Sequence, residues 1–527
     1  MRLTQTDVLV IGSGFGAAAP ALRLAQAGLK VLMLEKGRHI DPSKDFQQTQ
    51  DPRYLMQYLK STSGAHLNLT YAEALGGGSG FYEMVALRAP SAVFVQRSPD
   101  GVPLWPAGIE RGTLDRYYDI ADAMLHVEQI ALDRVPKTGL VFARLMRNLG
   151  YSCDRARYAV RGCLGSGYCV SGCIYGAKQS LLVTYLPQAV EAGVTIETNV
   201  EALSIRPLVQ VRSSAREGRL ADVPLRYEVL CRDTRSGEHR HIQAKILVLG
   251  GGTLGTARLL LASRDRLGRL GDHVGQNIAF NGSAKAAGLL PEDFPAGDMF
   301  SGQSHPGMIS YEFLNSLGIT IAAAKPLPIQ AVAAARLHLD GDPRNPAWWG
   351  AAHTDLMRLY RERLIVIYAL GMTPPLGRLI ARPGGGVDVD LVITEGLRRY
   401  HHDVHELLHG ILRRNGCRIV EATMRRSDGR TYDDLFFSSA HFVGSCRMAD
   451  SKRHGVVDRH GEVFDYPGLY VADGAAIPSS LAVNSSHTIL ANSERIAAGI
   501  VRRYLVEPRA PVIATGEPPA ARPIATR

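Results

Sequence analysis

Residues 6–36 read TDVLVIGSGFGAAAPALRLAQAGLKVLMLEK, and this stretch decides the fold. The apolar run Val8–Ile11 predicts a strand, and the alanine-rich segment at about Ala17–Ala27 predicts a helix. Val31–Leu34 predicts a second strand, which ends in the acid Glu35. The order strand, glycine-rich turn, helix and strand is typical of an α/β fold.

The small residues of this turn fit a dinucleotide. Gly12 permits the tight turn, Gly14 lets backbone N–H groups approach a pyrophosphate, and Ala17 keeps the helix close to the strand. The phosphates would lie at a helix N-terminus, where unpaired N–H groups and the helix dipole favour anions. Glu35 would accept hydrogen bonds from both ribose hydroxyls. The stretch predicts a dinucleotide site rather than a turn without a ligand, but it does not separate FAD from NAD.

The composition is that of a globular enzyme with more than one core. The chain has 527 residues, so we expect two domains or one domain with large insertions. Hydrophobic residues make up 46% and charged residues 21%, which is ordinary for such a chain. The net charge is +10, but the basic residues are scattered and no aromatic-basic platform accompanies them. We therefore expect no nucleic-acid partner.

The N-terminal residues and the cysteines predict a cytoplasmic protein. The first strand begins by Asp7, which leaves no room for a signal peptide, and no later segment carries about 18 consecutive apolar residues. The seven cysteines are an odd number, which agrees with a reducing compartment.

A second glycine cluster follows at residues 75–79, LGGGS. Three glycines in a row, Gly76, Gly77 and Gly78, cost chain entropy and are kept where side chains would collide with something. A flat ring close to the backbone is one such object, and a tight turn without a ligand is the alternative. Further along, HIQAKILVLGGGTLGTARLLLAS at 241–263 repeats the strand–glycine–helix pattern and predicts another edge of the same nucleotide site.

The cysteines at 163–173 raise the question of a metal. Cys163, Cys169 and Cys173 offer three thiols without a fourth ligand, and Ser166 stands where an iron–sulfur motif needs another sulfur. We therefore expect a packed loop and no metal.

The segment 282–430 lacks nucleotide motifs. Its alternating apolar strands predict a largely antiparallel sheet that forms a substrate wall. Trp348 and Trp349 predict aromatic core packing, with a lid that meets lipid or a nonpolar substrate as the alternative. Residues 506–527 are rich in proline and arginine and predict a disordered tail.

The C-terminal tenth of the chain carries three further motifs: HFVGSC at 441–446, GLYVADGAAIP at 468–478 and VNSSHTILANSER at 483–495. Together with the glycine clusters, GYCVSGCIYGAKQS at 167–180 and VGQN at 274–277, they resemble the glucose–methanol–choline (GMC) oxidoreductases. Within that family the chain is most similar to the branch of cholesterol oxidase and bacterial alcohol dehydrogenases. The matching pieces span nearly the whole chain.

This resemblance implies an α/β fold with a Rossmann-like FAD-binding domain and an inserted substrate domain, built on a mainly antiparallel β-sheet with helices. We expect the discontinuous FAD-binding domain to comprise residues 1–90, 151–281 and 431–505. The substrate domain would comprise residues 91–150 and 282–430.

The resemblance also implies the catalytic residues. His441 matches the histidine of the family's His-x-x-Gly-x-Cys motif, which faces the flavin N5 and the substrate hydroxyl, and Asn484 matches the second catalytic position. Ser485 departs from the family's usual proline, and His487 is an alternative base three residues beyond Asn484. Glu312 lies near the position where cholesterol oxidases keep a buried glutamate that moves a proton, and it is a further candidate base.

The implied cofactor is FAD, bound noncovalently because no histidine occurs near LGGGS, where relatives with covalent flavin attach it. The resemblance also assigns Asp473 to the ribityl or phosphate region and the backbone of Val200 to adenine. The complete set of expected cofactor contacts is Gly12, Gly14, Phe15, Gly16, Ala17, Glu35, Lys36, Gly76, Gly77, Gly78, Ser79, Val200, Gly251, Asp473, Gly474 and Asn484.

The expected function is FAD-dependent oxidation of a secondary, lipophilic or sterol-like alcohol by hydride transfer to flavin N5. A histidine whose pKa is near the operating pH can accept the hydroxyl proton, and an amide can hold the same oxygen without charge. The partners would be the small-molecule alcohol and oxygen or another electron acceptor, with membrane contact only at a substrate lid. The alternatives are a flavin-containing lyase of the same fold, which acts without net redox change, and a non-catalytic carrier.

Overall fold

The computed structural model describes residues 3–46, 52–62, 64–208, 220, 223–299, 301–325, 337–339, 350–382, 386–422 and 435–504. The lid candidates Trp348 and Trp349 and the tail at 506–527 lie outside these residues. None of the helices within the described ranges combines the length and the apolar character that crossing a membrane requires.

The first sheet, called the nucleotide sheet below, is built around the strand Leu3–Ile11. This strand pairs in parallel with Val31–Glu35 on one side and with His239–Leu249 on the other. Leu9 and Val10 are fully buried, as expected of a parallel strand that is covered on both faces. The strands follow the spatial order Thr195–Thr198, Val31–Glu35, Leu3–Ile11, His239–Leu249, Tyr227–Asp233 and Val200–Pro207, and Leu469–Val471 pairs with the end of His239–Leu249.

Helices cover this sheet and join the two ends of the chain. The first helix, Phe15–Gln26, packs against the last, Ser486–Tyr504. Arg23 and Glu494 form a buried ion pair between these helices at 2.8 Å, and the Tyr185 hydroxyl donates to the same carboxylate at 2.8 Å. The other helices of this unit are Pro42–Asp45, Tyr185–Glu191 and Gly252–Ala262.

The second large sheet, called the substrate sheet below, is antiparallel throughout, as the alternating pattern of residues 282–430 predicts. Its strands follow the order Leu337–Leu339, Arg418–Ala422, Ala284–Leu289, Leu364–Gly371, Ile319–Ala324, Met308–Ser310 and Asp154–Arg155. The helices of this region are Arg111–Met124, Lys137–Asn148, Leu314–Leu317, Gly350–Arg363 and Glu395–Arg414.

Smaller sheets connect the two units. Their strands are Val387–Leu391, Gly377–Ala381, Gln276–Ala279 and Val443–Ser445 in one, Phe437–Ser439, Leu67–Ala72 and Leu59–Ser61 in another, and Val127–Gln129 with Arg157–Ala159 in a third. Short 3-10 helices occur at Pro52–Gln57, Gly77–Gly80, Ser91–Val95, Leu132–Arg134, Cys169–Ser171 and Gly474–Ala476.

The architecture confirms the predicted α/β class, while the exact domain limits stay a prediction. Two elements lie against the unit opposite to the one expected. The strand Asp154–Arg155 pairs with Met308–Ser310 in the substrate sheet. The helix Arg111–Met124 packs against the last helix, and its Tyr118 hydroxyl lies 2.8 Å from Thr488 Oγ1.

Candidate active site

At two glycines of the first turn, neighbouring parts of the protein leave no room for a side chain. Gly12 has a φ of +97°, and a Cβ at this position would lie 2.2 Å from the carbonyl oxygen of Gly250. A Cβ at Gly16 would lie 2.2 Å from Cβ of Asp473. The first turn is therefore packed directly against the second strand–glycine–helix element and the Asp473 segment, which supports one shared nucleotide site.

At two other glycines, Gly14 and Gly78, the protein leaves room for a side chain. The nearest atom to a Cβ at Gly14 would be Gly77 Cα at 3.9 Å, and nothing lies within 4 Å of a Cβ at Gly78, which is exposed. The two glycine clusters thus meet with no side chain between them. This bare backbone fits the pyrophosphate and flat ring of a flavin dinucleotide, because both need close approach to main-chain N–H groups.

Glu35 lies where the ribose-binding acid was expected, and it also ties the loops together. Its carboxylate accepts from Ser13 Oγ at 2.5 Å and from Gly37 N at 2.8 Å. Burial raises the pKa of Glu35, and the hydrogen bonds from Ser13 and Gly37 oppose that rise. Ser13 Oγ also accepts from Gly76 N at 2.9 Å, so this serine links the two glycine clusters. Sequence reasoning missed Ser13 because the glycine motif specifies no residue type at this position.

Two residues that were expected to contact the cofactor, Lys36 and Ser79, have side chains that bind other groups of the protein. Lys36 is ion-paired with Glu73 at 2.8 Å and lies 3.7 Å from Glu201. The Ser79 hydroxyl is fully buried, donates to Gly76 O at 2.7 Å and accepts from Leu181 N at 3.1 Å. Both side chains therefore support the shape of the site, and their contact with the cofactor stays a prediction.

Asp473 joins two elements at the centre of the site. One carboxylate oxygen accepts from Gly252 N at 2.7 Å and from Thr256 Oγ1 at 2.6 Å, and the other accepts from Ala475 N at 2.8 Å. Burial raises the pKa of Asp473 to about 6. This carboxylate holds the N-terminus of the helix Gly252–Ala262 against the Gly474 turn, and its bond to the cofactor stays a prediction.

The remaining expected contacts lie at the rim of the same region. Val200 is buried at the start of the strand Val200–Pro207, and Gly251 is exposed directly before the helix Gly252–Ala262. Phe15 and Ala17 belong to the first turn of the first helix, with Phe15 half-buried and its ring 5.3 Å from that of Tyr82.

The structure brings His441 and Asn484 together, although they come from different loops. Asn484 Nδ2 lies 3.0 Å from His441 Nε2. Because an amide nitrogen donates only, Nε2 of His441 accepts in this arrangement and carries no proton. Burial and the nearby ammonium of Lys285 lower the pKa of His441 to about 4, so the imidazole is neutral at neutral pH. A substrate hydroxyl would have to replace Nδ2 as the donor to Nε2, and Nδ2, which carries two hydrogens, can then donate to the hydroxyl oxygen.

Other polar side chains that no motif indicated are linked to this pair through Tyr368. Tyr368 faces Lys285 across two strands of the substrate sheet, and its hydroxyl interacts with Asn484. His305 and Tyr158 are fully buried beside Tyr368. Burial raises the pKa of Glu83 to about 7, and Lys285, Lys178 and Lys325 oppose that rise.

Glu312 is not part of this group, contrary to the expectation of a catalytic base. It is exposed just beyond the strand Met308–Ser310, where its carboxylate accepts from Ser152 N at 3.0 Å and Ser152 Oγ at 2.7 Å. These hydrogen bonds lower the pKa of Glu312, which makes it a weaker base.

His487 is engaged in the scaffold. Its Nε2 lies 2.8 Å from Asp122 Oδ1, and the ring packs against Tyr118 with centroids 5.2 Å apart. Arg88 and Arg157 donate to the other oxygen of Asp122. His487 therefore fixes the start of the last helix and does not replace Asn484 as a reacting group.

The cysteine-rich loop is only partly buried, and its large apolar side chains Leu164, Tyr168, Ile174 and Tyr175 are exposed, which corrects the expectation of a packed loop. Cys163, Cys169 and Cys173 are half-buried free thiols that line one small cavity with Lys178 and Gln303. Within the described part of the chain, no three or more His, Cys, Asp or Glu side chains are arranged to hold a metal ion.

Comparison with known proteins gives the family. The N-terminal sequence profile of the GMC oxidoreductases matches residues 7–281, and the C-terminal profile matches residues 393–493. The chain belongs to the GMC oxidoreductase family. It is therefore an FAD-dependent oxidoreductase of the family that includes alcohol oxidases and dehydrogenases.

Curated relatives of this GMC protein span nearly the whole chain. A cholesterol oxidase of Mycobacterium tuberculosis is 26% identical and aligns over 93% of this chain and 90% of its own length. A 2-methyl-1,2-propanediol dehydrogenase of Mycolicibacterium austroafricanum is 25% identical, and the alignment covers 95% of this chain and 96% of that protein. A long-chain-alcohol oxidase of Arabidopsis thaliana is 26% identical, and the alignment covers 94% of this chain and 67% of that protein.

Solved structures agree on the fold. Pyridoxine 4-oxidase from Mesorbium loti superposes with a TM-score of 0.65 at 16% identity, covering 94% of this chain and 99% of that one. Formate oxidase superposes with a TM-score of 0.63 at 14% identity, covering 96% and 99%. At such identities the likeness concerns the fold alone.

Proposed function

We propose that this GMC oxidoreductase oxidises a secondary, lipophilic alcohol to the carbonyl, with His441 as the proton acceptor and Asn484 as the group that orients the hydroxyl. The observation that carries the proposal is the 3.0 Å contact between Asn484 Nδ2 and His441 Nε2. A neutral imidazole that can accept a proton, next to a neutral amide that can donate a hydrogen bond, suits a hydroxyl substrate.

The register of the substrate sheet supports a substrate that is polar at one end and apolar beyond. Lys285, Tyr368 and Ala322 lie directly opposite one another and share a face of the sheet. Thr320 is two residues from Ala322 on that face, and its hydroxyl donates to Ala482 O in the loop before Asn484.

On the other side of this polar row the same face carries Ala287, Val366 and Ala324, which are also mutually opposite. All three are half-buried, and their small aliphatic side chains form an apolar wall. The cholesterol oxidase and long-chain-alcohol oxidase relatives add weight to a lipophilic substrate.

In the proposed reaction the hydroxyl proton moves to His441 Nε2 while the C–H bond of the carbinol carbon breaks and the C=O bond forms. When bound, FAD supplies the acceptor for the departing hydride. Asn484 Nδ2 donates to the same oxygen, and the side chains of Tyr368 and Lys285 close the polar end of the cleft. The open backbone of Gly14 and Gly78 would lie against the cofactor, and Glu35 would hold its ribose. Gly12, Gly76 and Gly77 would shape the site, because their N–H groups donate to Leu34 O, Ser13 Oγ and Ala74 O.

We further propose that FAD is bound without a covalent link and that oxygen or another acceptor takes the electrons. The segment around Gly76–Ser79 contains no histidine, and the nearest one in the chain is His66. Trichloroacetic acid precipitation tests the link, because noncovalent FAD stays in the supernatant and covalent flavin sediments with the protein.

The test of the reaction is anaerobic mixing of the yellow holoenzyme with an alcohol, followed by the absorbance of the oxidised flavin. We expect bleaching with secondary steroid, terpenoid or long-chain alcohols and a stoichiometric carbonyl product. His441→Ala and Asn484→Ala are expected to slow bleaching by about 10²–10⁴-fold, the usual contribution of a general base or oriented donor. His402→Gln is the matched control, because His402 is exposed on the helix Glu395–Arg414.

Two outcomes would contradict the proposal. No bleaching with any alcohol of these classes would exclude the oxidation, and product formation without bleaching would identify a lyase that keeps flavin as a structural element. Equal rates of flavin bleaching for His441→Ala and His402→Gln would show that His441 does not accept the proton.

A further inference from the structure

Ala482 has a backbone conformation that alanine rarely adopts. Its φ is +56°, although the residue is fully buried and lies two positions before Asn484. A residue with a Cβ is strained at such an angle, and this strain persists only where the surrounding structure holds the backbone in place. Strained residues cluster at active sites, because there the strain fixes the direction of a functional group. The contacts of Ala482 therefore show what holds the loop that presents Asn484.

Both sides of Ala482 are hydrogen-bonded to buried side chains. Its N–H group donates to Asn281 Oδ1 at 2.8 Å, and its carbonyl oxygen accepts from Thr320 Oγ1 at 2.5 Å. Asn281 is 0% and Thr320 is 2% exposed, so both bonds are shielded from water. Relaxing φ of Ala482 would turn one of its two peptide groups away from its partner and leave a buried polar atom unpaired, which is costly.

Thr320 is a stiff donor on a stiff element. It lies in the strand Ile319–Ala324 of the substrate sheet, and the χ1 angle of a β-branched side chain is restricted. Asn281 is tied to the same sheet, because Gly371 N donates to its backbone oxygen at 2.9 Å and Gly371 pairs with Ile319. Both partners of Ala482 are thus fixed to neighbouring strands of the substrate sheet.

The start of the same loop is anchored separately. Ser479 Oγ accepts from Trp105 Nε1 at 2.9 Å and from Gln96 Nε2 at 3.0 Å. Ser480 Oγ donates to Thr373 O at 2.9 Å. These bonds fix the place where the loop begins, whereas the bonds to Ala482 fix the direction in which it continues toward Asn484.

The strand that carries Thr320 also carries the proposed substrate wall. Thr320, Ala322 and Ala324 alternate along the strand and share one face. Ala322 lies opposite Tyr368, and Ala324 lies opposite Val366. The apolar wall and the hydroxyl that holds the loop before Asn484 therefore belong to one element, so the bond between Thr320 and Ala482 joins the wall to the catalytic amide.

We propose that Thr320 is a positioning residue for the oxidation. Its hydroxyl keeps Ala482 in the strained conformation, and this conformation directs the Asn484 amide toward His441 and the substrate oxygen. The inference rests on the proposed alcohol oxidation. When the bond is lost, Ala482 relaxes and the amide no longer has one fixed direction, whereas the apolar wall keeps its shape. The loss therefore falls on the rate of the reaction and much less on substrate binding.

Thr320→Val tests the hydroxyl alone, because valine has the same shape and cannot donate. We expect the limiting rate of flavin reduction in the holoenzyme to fall by about 10–10²-fold, while the Kd of the alcohol changes by less than about threefold. Thr320→Ser keeps the donor and is expected to stay within about threefold of the wild-type rate. Thr6→Val is the matched control, since the buried Thr6 hydroxyl donates to Lys30 O at 2.8 Å in the nucleotide sheet. Equal limiting rates for Thr320→Val and Thr320→Ser would overturn the proposal.

A second substitution tests whether Thr320 acts through Ala482. Glycine adopts a positive φ without the strain of a Cβ, so Ala482→Gly makes the loop conformation less dependent on the bond from Thr320. We expect Ala482→Gly to recover at least about threefold of the rate that Thr320→Val loses. His126→Gly is the matched control and should recover none of it, because His126 has a φ of +48° but is exposed just beyond the helix Arg111–Met124. Equal rates for Thr320→Val with and without Ala482→Gly would overturn the proposal.

Hydrogen exchange tests the restraint independently of the reaction. We expect the backbone amides of residues 481–484 to exchange faster in Thr320→Val than in Thr6→Val, and unchanged exchange would overturn the proposal. Thr320→Cys, whose thiol is a weaker donor, serves the same comparison if the valine variant does not fold. If no alcohol reduces the wild-type flavin, the proposed function fails, whereas the exchange rates still decide whether Thr320 holds the loop.

Discussion

The Asn281 side chain donates a hydrogen bond to Val483 O at 2.8 Å and so holds the residue directly before Asn484. Its carboxamide oxygen accepts from the N–H groups of Leu481 and Ala482 at 2.9 and 2.8 Å. Asn281 is fully buried and has a φ of +66°, which asparagine tolerates better than most residues. One side chain thus sets the path of the loop that presents the catalytic amide.

We predict that Asn281→Asp lowers the free energy of unfolding by about 1–3 kcal/mol and slows flavin reduction, because the carboxylate cannot donate to Val483 O. The checks are urea unfolding and anaerobic stopped-flow reduction. Asn148→Asp is the control, since Asn148 makes an exposed amide contact with Asn415 at 3.0 Å. Equal effects of the two variants would show that the loop needs no such support.

Gly14→Ala and Gly78→Ala are predicted to fold normally and to bind FAD at least about tenfold more weakly. The protein leaves room for a Cβ at both positions, so only the cofactor would meet the new methyl groups. Thermal unfolding of the apoprotein and FAD titration measure the two effects separately. Gly410→Ala, in the open interior of the helix Glu395–Arg414, is the control and should leave FAD affinity unchanged. Unchanged FAD affinity in Gly14→Ala and Gly78→Ala would show that the cofactor does not lie against these glycines.

Removing the Lys285 charge is predicted to shift the acid limit of the reaction. Burial and Lys285 lower the pKa of His441 to about 4, so Lys285→Met should raise this pKa toward its ordinary value of 6.5. The rate of flavin reduction should then begin to fall at a higher pH than in the wild type, because protonated His441 cannot accept a proton. Lys285→Arg keeps the charge and is expected to keep the wild-type pH profile. Identical profiles for Met and Arg would contradict the prediction.

Glu83 is predicted to make stability depend on pH. Its pKa is raised from 4.5 to about 7, mainly by burial, so the folded protein holds the proton more tightly than the unfolded chain. This contribution to stability is complete below about pH 4.5 and is lost as the pH rises through about 7. Urea unfolding across this range should therefore show wild type losing stability relative to Glu83→Gln, which cannot ionise. Parallel curves would show that Glu83 has an ordinary pKa.

Glu494→Gln is predicted to lower the free energy of unfolding by about 3–5 kcal/mol, because it leaves the Arg23 guanidinium buried without its counter-ion. The matched control is Lys452→Gln, which breaks an exposed pair with Asp465 and should cost less than about 1 kcal/mol. Chemical denaturation of both variants measures the difference. A cost for Glu494→Gln as small as that of the control would show that water reaches the buried pair.

Several site residues could be predicted because local sequence carries their signal. The turn at Gly12 needs a positive φ and the close approach at Gly16 excludes a side chain, so glycine spacing alone reveals both. His441 and Asn484 were predicted through their motifs, and the structure adds their 3.0 Å contact. The prediction of Glu312 as a base failed because local sequence carries no signal for the direction of its side chain. A position near a strand end does not reveal whether the side chain faces the cleft or Ser152.

The sequence by itself determined the nucleotide sheet, the bare glycine surface and the family, because these depend on backbone conformation and on residues close together in the chain. Only the tertiary structure decided which other side chains reach the reaction centre. Lys285 and Tyr368 come from separate strands and carry no motif, and cross-strand register sets them opposite each other. Lys285 acts electrostatically on His441, and Tyr368 interacts with Asn484. Burial sets their protonation, since the pKa of a buried group depends on neighbours that the order of residues does not specify.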